Sequence, residues 1–278
     1  MEIFVSGGTG FIGSYLIQEL LKTNNNITIF TRNQNFKSDN LIKNLRFEVC
    51  DIYNIENKFI KNNKIPDLLI HLAWGGLPNY KSNYHFEFEL PNQYQFLSSF
   101  IKAGLKNLFV TGTCFEYGMR EGLLSENLIS IPSNPYGFAK DTLRKQLEFL
   151  QVDYPFNLTW GRLFYMFGEN QSEKSIYSLL KKAISNKEKE FPMSGGEQIR
   201  DYLSIVEIAS IIKNLSLKNA NLGLVNICSG NPTSIRRLVE SWITTNNWNI
   251  KLKLDVYPYP DYEPFAFWGD TTKLKSII

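Results

Sequence analysis

A chain of 278 residues with 43% hydrophobic and 21% charged content can bury a substantial core, as one large domain or one and a half. The formal net charge of +3, with acids and bases interspersed, excludes a dedicated nucleic-acid binder. No apolar segment approaches the roughly 20 residues that cross a bilayer, which excludes a membrane protein.

The chain opens directly on the strand-like EIFVS (2–6), so no signal peptide is expected and the protein is placed in the cytoplasm. Helix-like FIGSYLIQELLK (11–22) and a second strand, ITIFT (27–31), follow. LRFEV (45–49), DLLIHLA (67–73), NLFVTG (107–112) and FNLTWGRL (156–163) continue the series, with helical stretches between. Short apolar runs bounded by turns and separated by helices predict parallel strands with right-handed crossovers. The fold class is therefore α/β, a Rossmann-type doubly wound sheet over residues 1–165. Beyond it the rhythm loosens into short strands near 199–203 and 224–227 and helices near 175–186, 205–215 and 233–244. These predict a smaller C-terminal α/β substrate lobe over 166–278, with about 200–228 returning to the first domain. Ligands belong in the crevice between the two. Cys50, Cys114 and Cys228 have no metal spacing, and no metal site is expected.

SGGTGFIG places Gly7, Gly10 and Gly13 directly after the first strand and at the opening of the first helix. Glycine permits the tight turn and the approach of backbone amides to a pyrophosphate, and the helix N-terminus favours the anion. Dinucleotide sites carry an acidic residue at the end of the second strand, for the ribose hydroxyls. Here that strand ends Thr31-Arg32-Asn33, and an arginine suits a 2′-phosphate, so NADPH is expected ahead of NADH. Asp51, closing the third strand, is placed either to meet the adenine edge or to stand in a surface turn.

NPYGFAK (134–140) sets Tyr136 and Lys140 one helical turn apart, on one face. An ammonium beside the phenol is expected to lower the tyrosine pKa and so help it exchange a proton with a carbonyl oxygen. Thr111 and Thr113, after the fifth strand, supply hydroxyls to hold that oxygen. His71, inside an apolar strand, reads as a packed and satisfied histidine, and His85 as a surface residue.

Taken together, these motifs resemble the extended short-chain dehydrogenase/reductases, in particular the NAD-dependent epimerase/dehydratase family acting on sugar nucleotides. The resemblance runs over nearly the whole chain. GGTGFIG matches the cofactor motif and implies that Phe11 and Ile12 join the three glycines around the dinucleotide. Asp51 and Ile52 would line the adenosine side. LLIHLAW matches the strand that backs the nicotinamide, which adds Leu72, Ala73 and Trp74, and Thr111 follows on the next strand. Counting back from Gly118, Thr113 takes the position of the family's catalytic Ser/Thr. Tyr136 takes that of the acid/base, and Lys140 that of its electrostatic and ribose-binding partner. Arg200, in IRDYLSIVEIA, implies a contact to the substrate diphosphate. Trp74, Cys114, Phe115 and Tyr136 imply contacts to the sugar.

Dehydratases of the family carry an Asp–Glu pair directly after the catalytic threonine. Cys114 and Phe115 stand there instead, which argues against loss of water, and GTCFEYG is most similar to reductases that make deoxy sugars, such as the CDP-abequose and CDP-paratose synthases. The reaction expected is NADPH-dependent reduction of a 4-keto-6-deoxy sugar nucleotide. An NAD-dependent 4-epimerase is the alternative, and a non-catalytic NADP-binding sensor a third. Helices near 83–104 and 136–152 imply a homodimer through a four-helix bundle. Loops near 74–86, 120–132 and 257–268 are candidates for choosing the sugar.

Overall fold

In this computed structural model residues 1–34, 43–54, 60, 65–259 and 263–278 are described. Seven strands form one parallel sheet: β1 (Glu2–Ser6), β2 (Asn26–Thr31), β3 (Leu45–Val49), β4 (Leu68–His71), β5 (Asn107–Thr113), β6 (Asn157–Leu163) and β7 (Gly223–Ile227). Their order is 7-6-5-4-1-2-3, with every neighbouring pair parallel. The order reverses beside β1, whose neighbours are β2 and β4, and a crevice opens there at the carboxyl ends of the strands. Strands flanked on both faces are buried along nearly their whole length, and all four residues of β4 are buried.

The principal helices are α1 (Phe11–Leu21), α2 (Leu90–Lys102), α3 (Pro135–Asp153), α4 (Ile176–Ser185), α5 (Ile205–Ser216), α6 (Ile235–Thr245) and α7 (Thr272–Ile277). A π-helical turn, His85–Glu89, leads into α2. On one face of the sheet, Leu16, Ile17 and Leu20 of α1 meet Ile208, Ala209 and Ile212 of α5 over Ile3, Val5 and Ile70. On the other, Phe96, Leu97 and Phe100 of α2 and Leu143, Leu147 and Leu150 of α3 cover Phe4, Leu69, Val110 and Trp160.

A separate cluster, with Leu180, Phe191, Val239, Trp242 and Ile250, forms the core of the region after β6. The chain nevertheless comes back from that region to add α5 to the first core and β7 to the edge of the sheet. Among the described residues, no helix is long and apolar enough to cross a membrane.

Candidate active site

The glycine turn between β1 and α1 is dictated by space. Gly7 adopts φ +74°, and a Cβ on it would stand 2.7 Å from the Ala73 amide nitrogen. A Cβ on Gly13 would lie 2.2 Å from the Gly7 carbonyl oxygen. Gly10 occupies the N-cap of α1 without a side-chain cap, and the first turn holds no acid. This cradle of uncapped amides at a positive helix end fits a pyrophosphate. Phe11 and Ile12 begin the helix and, with Leu72, pack on the α1–α5 core, while Leu72 N donates to Ser6 O at 3.0 Å. Glycine turn, Leu72 and Ala73 therefore share one wall of the crevice.

Farther along the strand ends, Arg32 is exposed, with its guanidinium 5.8 Å from the centre of the Tyr53 ring. Asp51 accepts from Tyr53 N (3.2 Å) and Asn54 Nδ2 (3.1 Å), capping the 3₁₀ turn that contains Ile52.

α3 starts where Asn134 Oδ1 accepts from Gly137 N (2.9 Å) and Pro135 supplies a first-turn residue that needs no donor. This cap sets Tyr136 at the carboxyl edge of the sheet and Lys140 one turn deeper, both buried. Lys140 Nζ donates to Thr111 O (2.9 Å) and sits over the Trp74 ring, 4.0 Å from its centre. Rings surround Tyr136, with centroids at 5.2 Å (His85), 5.6 Å (Tyr80), 6.0 Å (Trp74) and 6.4 Å (Phe115).

Two expectations about proton affinity and burial are corrected here. The Tyr136 pKa is raised, not lowered: burial dominates, Tyr80, Glu116 and Cys114 add to it, and a hydrogen-bonding contact with the Thr113 side chain opposes them. Removing the phenol from water outweighs a lysine whose own pKa burial pulls down to about 7, against the raising influence of Glu116 and Glu89. His85 is not on the surface but fully buried. Trp74 Nε1 donates to its Nδ1 at 3.1 Å; since an indole N–H can only donate, the imidazole proton is on Nε2, which donates to Asn79 O at 2.9 Å. The chain between Asn79 and Tyr84 reaches α3, where Tyr80 O accepts from Tyr136 N (3.2 Å), and the π turn carries the His85 ring against Tyr136.

His71 is packed and fully buried, as expected, but it is not fully satisfied: Nε2 has no hydrogen-bond partner among the described residues. Its Nδ1 is 2.7 Å from Ser6 Oγ, and burial, followed by the charge of Lys140, lowers its pKa to about 3, against a contact with Gln93 that raises it.

Thr113 ends β5, and Cys114 and Phe115 lie buried in the turn after it. Burial, with Glu263 next in weight, pushes the Cys114 thiol up to about 12, and Arg200 opposes it. Arg200 and Glu263 thus lie on the Cys114 side of the crevice. Arg200 forms no surface pair with Asp201. It is buried, with Nη2 donating to Glu263 Oε2 (2.9 Å) and Nη1 to the carbonyls of Ile199 (2.9 Å) and Phe265 (3.0 Å). Asp201 instead accepts from the amides of Ser229 (2.7 Å), Gly230 (2.8 Å) and Gly269 (3.2 Å). Residues 260–262 of the proposed sugar-selecting loop lie outside the described residues. Among the described residues no cluster of His, Cys, Asp or Glu could hold a metal.

Three side chains of this site escaped the sequence reading: Tyr80, His85 and Glu116. Only Glu116 carried a signal, since Thr113-Cys-Phe-Glu116 has the spacing of a capping box.

The profile of the NAD dependent epimerase/dehydratase family matches residues 3–228. A dTDP-6-deoxy-L-talose 4-dehydrogenase (NAD(+)) of Aggregatibacter actinomycetemcomitans is 32% identical over 272 residues, covering 97% of this chain and 99% of the relative. A GDP-6-deoxy-D-talose 4-dehydrogenase of the same organism is 25% identical over 287 residues, covering 100% and 91%. In fold, the chain is similar to a UDP-N-acetylglucosamine 4-epimerase from Methanobrevibacter ruminantium M1, with TM-score 0.85, 24% identity and coverage of 99% and 91%. The glycine cradle, the buried Tyr136–Lys140 pair and the match across most of its length place the chain in the NAD-dependent epimerase/dehydratase family, as an oxidoreductase of the extended short-chain dehydrogenase/reductase type.

Proposed function

We propose that this protein acts at C4 of a nucleotide-linked 6-deoxy hexose, reducing the 4-keto sugar to the 4-hydroxy sugar with NADPH. One observation carries the reading: a buried phenol on α3 lies within reach of the buried Thr113 side chain at the end of β5, with Lys140 buried one helical turn along and donating to Thr111 O (2.9 Å) on the same strand. The nicotinamide supplies the hydride in chemistry of this type. The glycine turn, with Ala73 behind it, would hold the pyrophosphate. Tyr136, kept protonated by burial, donates its proton to the ketone oxygen, and Thr113 orients that oxygen. Lys140 brings the positive charge that steadies the phenolate left behind.

The 6-deoxy sugar and the position C4 are supported by the names of the two dehydrogenase relatives. NADPH is supported by exposed Arg32 at the end of β2, where no carboxylate stands, although the more similar relative is named for NAD(+). Arg200 is proposed to meet the substrate diphosphate by exchanging Glu263 for it. The lobe built around Trp242 and Val239 is proposed to carry the nucleotide.

Incubation with a panel of 4-keto-6-deoxy sugar nucleotides tests all of this, with NADPH and NADH side by side. Nicotinamide absorbance reports turnover, and NMR identifies the product. Loss of absorbance with a C4 alcohol formed is the expected outcome. Tightly retained NAD with no net consumption would make the enzyme a 4-epimerase instead.

A homodimer through α2 and α3 is part of the proposal. Phe149 and Val152 on α3 are 77% and 79% exposed, as a helix face awaiting a partner would be. A monomer by light scattering at micromolar concentration would refute it. Three free thiols suit the reducing cytoplasm, where we place the enzyme.

A further inference from the structure

Beneath Thr113 lies an ion pair that the chemistry above does not use. Glu116 and Arg162 are both 0% exposed, joined by Arg162 Nε (2.9 Å) and Nη2 (2.7 Å) to Glu116 Oε2. The other carboxylate oxygen accepts from Thr113 N (2.8 Å) and from Trp160 Nε1 (3.0 Å). In return Thr113 Oγ1 accepts from Phe115 N (3.3 Å), so threonine and glutamate cap the turn reciprocally. Arg162 is itself held from two further sides, by Ser130 Oγ (2.9 Å) and by the face of Tyr117, 4.0 Å from its guanidinium carbon.

Space has been cleared for this arrangement. A Cβ on Gly112 would fall 2.0 Å from Trp160 Nε1 and 2.5 Å from Glu116 Oε1. The glycine preceding Thr113 therefore makes room for the hydrogen bond between tryptophan and glutamate.

We propose that Glu116, locked by Arg162 and Trp160, is the positioning residue that fixes the turn presenting Thr113 to Tyr136 and the substrate oxygen. With four donors on its two oxygens, Glu116 has no lone pair left to exchange a proton with substrate, so it acts through Thr113. Thr113 Oγ1 accepts from Phe115 N, which leaves its O–H available as a donor toward the substrate oxygen.

The charge of Glu116 reaches the pair on α3 as well. It raises the proton affinity of both Tyr136 and Lys140. The groups facing Tyr136 are Tyr80, Cys114, Thr113, His85, Trp74 and Glu116. Those facing Lys140 are Glu89, Glu116, Trp74 and His71.

The inference rests on the reading of Thr113 and Tyr136 as catalytic, and the experiment separates the two. Glu116→Gln, Trp160→Phe and Thr113→Ala are compared with the parent in full pH–rate profiles on the reducible sugar nucleotide. Glu116→Gln is expected to lower kcat by on the order of 100-fold, with KM within about twofold. Its alkaline limb should move to lower pH by at least about half a unit, because a charge that favours protonation has been removed. Trp160→Phe keeps the charge and should leave the limb in place while lowering the melting temperature.

An uncompensated Arg162 could leave Glu116→Gln too unstable to assay. The double variant Glu116→Gln/Arg162→Met buries no lone charge and carries the same expectation for kcat, with a smaller movement of the limb because a positive charge leaves with the negative one. Parental kcat and limb in the Glu116 variants, with Thr113→Ala inactive, would overturn the inference alone. Full turnover in Thr113→Ala would overturn the catalytic reading, and the inference with it.

Discussion

The two ends of the crevice are built on opposite plans. At the glycine turn, what matters is backbone at one strand–helix junction and the Ala73 amide beside it: a Cβ on Gly7 or Gly13 would strike a main-chain atom, and one on Gly10 would crowd the Gly7 carbonyl oxygen. At the tyrosine end, side chains from separate segments converge: Trp74 after β4, Tyr80 and His85 before α2, Thr113 and Glu116 after β5, Trp160 and Arg162 from β6. A site made of local backbone is robust to its surroundings. A site made of distant side chains takes its chemistry from them, and here burial reverses the pKa shift that a tyrosine and lysine alone would have.

If that contrast holds, damage at the tyrosine end should separate chemistry from stability. Tyr136→Phe should lower kcat by about 10²–10⁴-fold, the usual contribution of a positioned acid, with an unchanged melting temperature. A matching loss of stability would mean that the phenol is structural. Damage at the glycine end should do the reverse. Gly13→Ala forces main-chain atoms apart and should cost up to about 3 kcal/mol in urea unfolding, with calorimetry detecting no dinucleotide binding.

The buried histidine between the two ends gives a pH test. The native pKa of His71, near 3, lies below the ordinary value of 6.5, so the unfolded chain binds a proton that the folded one refuses. Its contribution is present above about pH 6.5 and drains away as the pH falls toward 3. The loss in stability between pH 7 and pH 4.5 should be smaller by about 2 kcal/mol in His71→Asn. Equal losses in the two proteins would show that another group titrates. The smallest effect is expected at Trp74. Trp74→Leu removes the ring under Lys140 and should slow turnover about tenfold. Trp74→Phe, which keeps a ring but loses the bond to His85, should fall between.

How far the sequence can be read follows the same division. The sheet strands and the glycine turn were legible because a turn, a short apolar run or a helix start is written within a few consecutive residues. Tyr136 and Lys140 were legible because one helical turn separates them. His85 was misread because Asn83-Tyr84-His85-Phe86-Glu87 has a mixed polar pattern, and only the π-helical turn and the indole of Trp74 decide that its ring faces inward. Arg162 meets Glu116 across 46 residues and Arg200 meets Glu263 across 63, separations at which no spacing rule applies. The raised phenol is the extreme case, since burial is a property of the assembled fold and of no motif.

The return of the chain to the first sheet has a practical consequence for engineering. Ile205–Ser216 and Gly223–Ile227 are late in the chain, yet one covers α1 and the other borders β6. A fragment cut after α3 would expose an apolar flank and an unpaired edge, and should precipitate when expressed alone. Chimeras that exchange sugar preference must therefore be spliced on either side of these two segments, leaving them with their native N-terminal half.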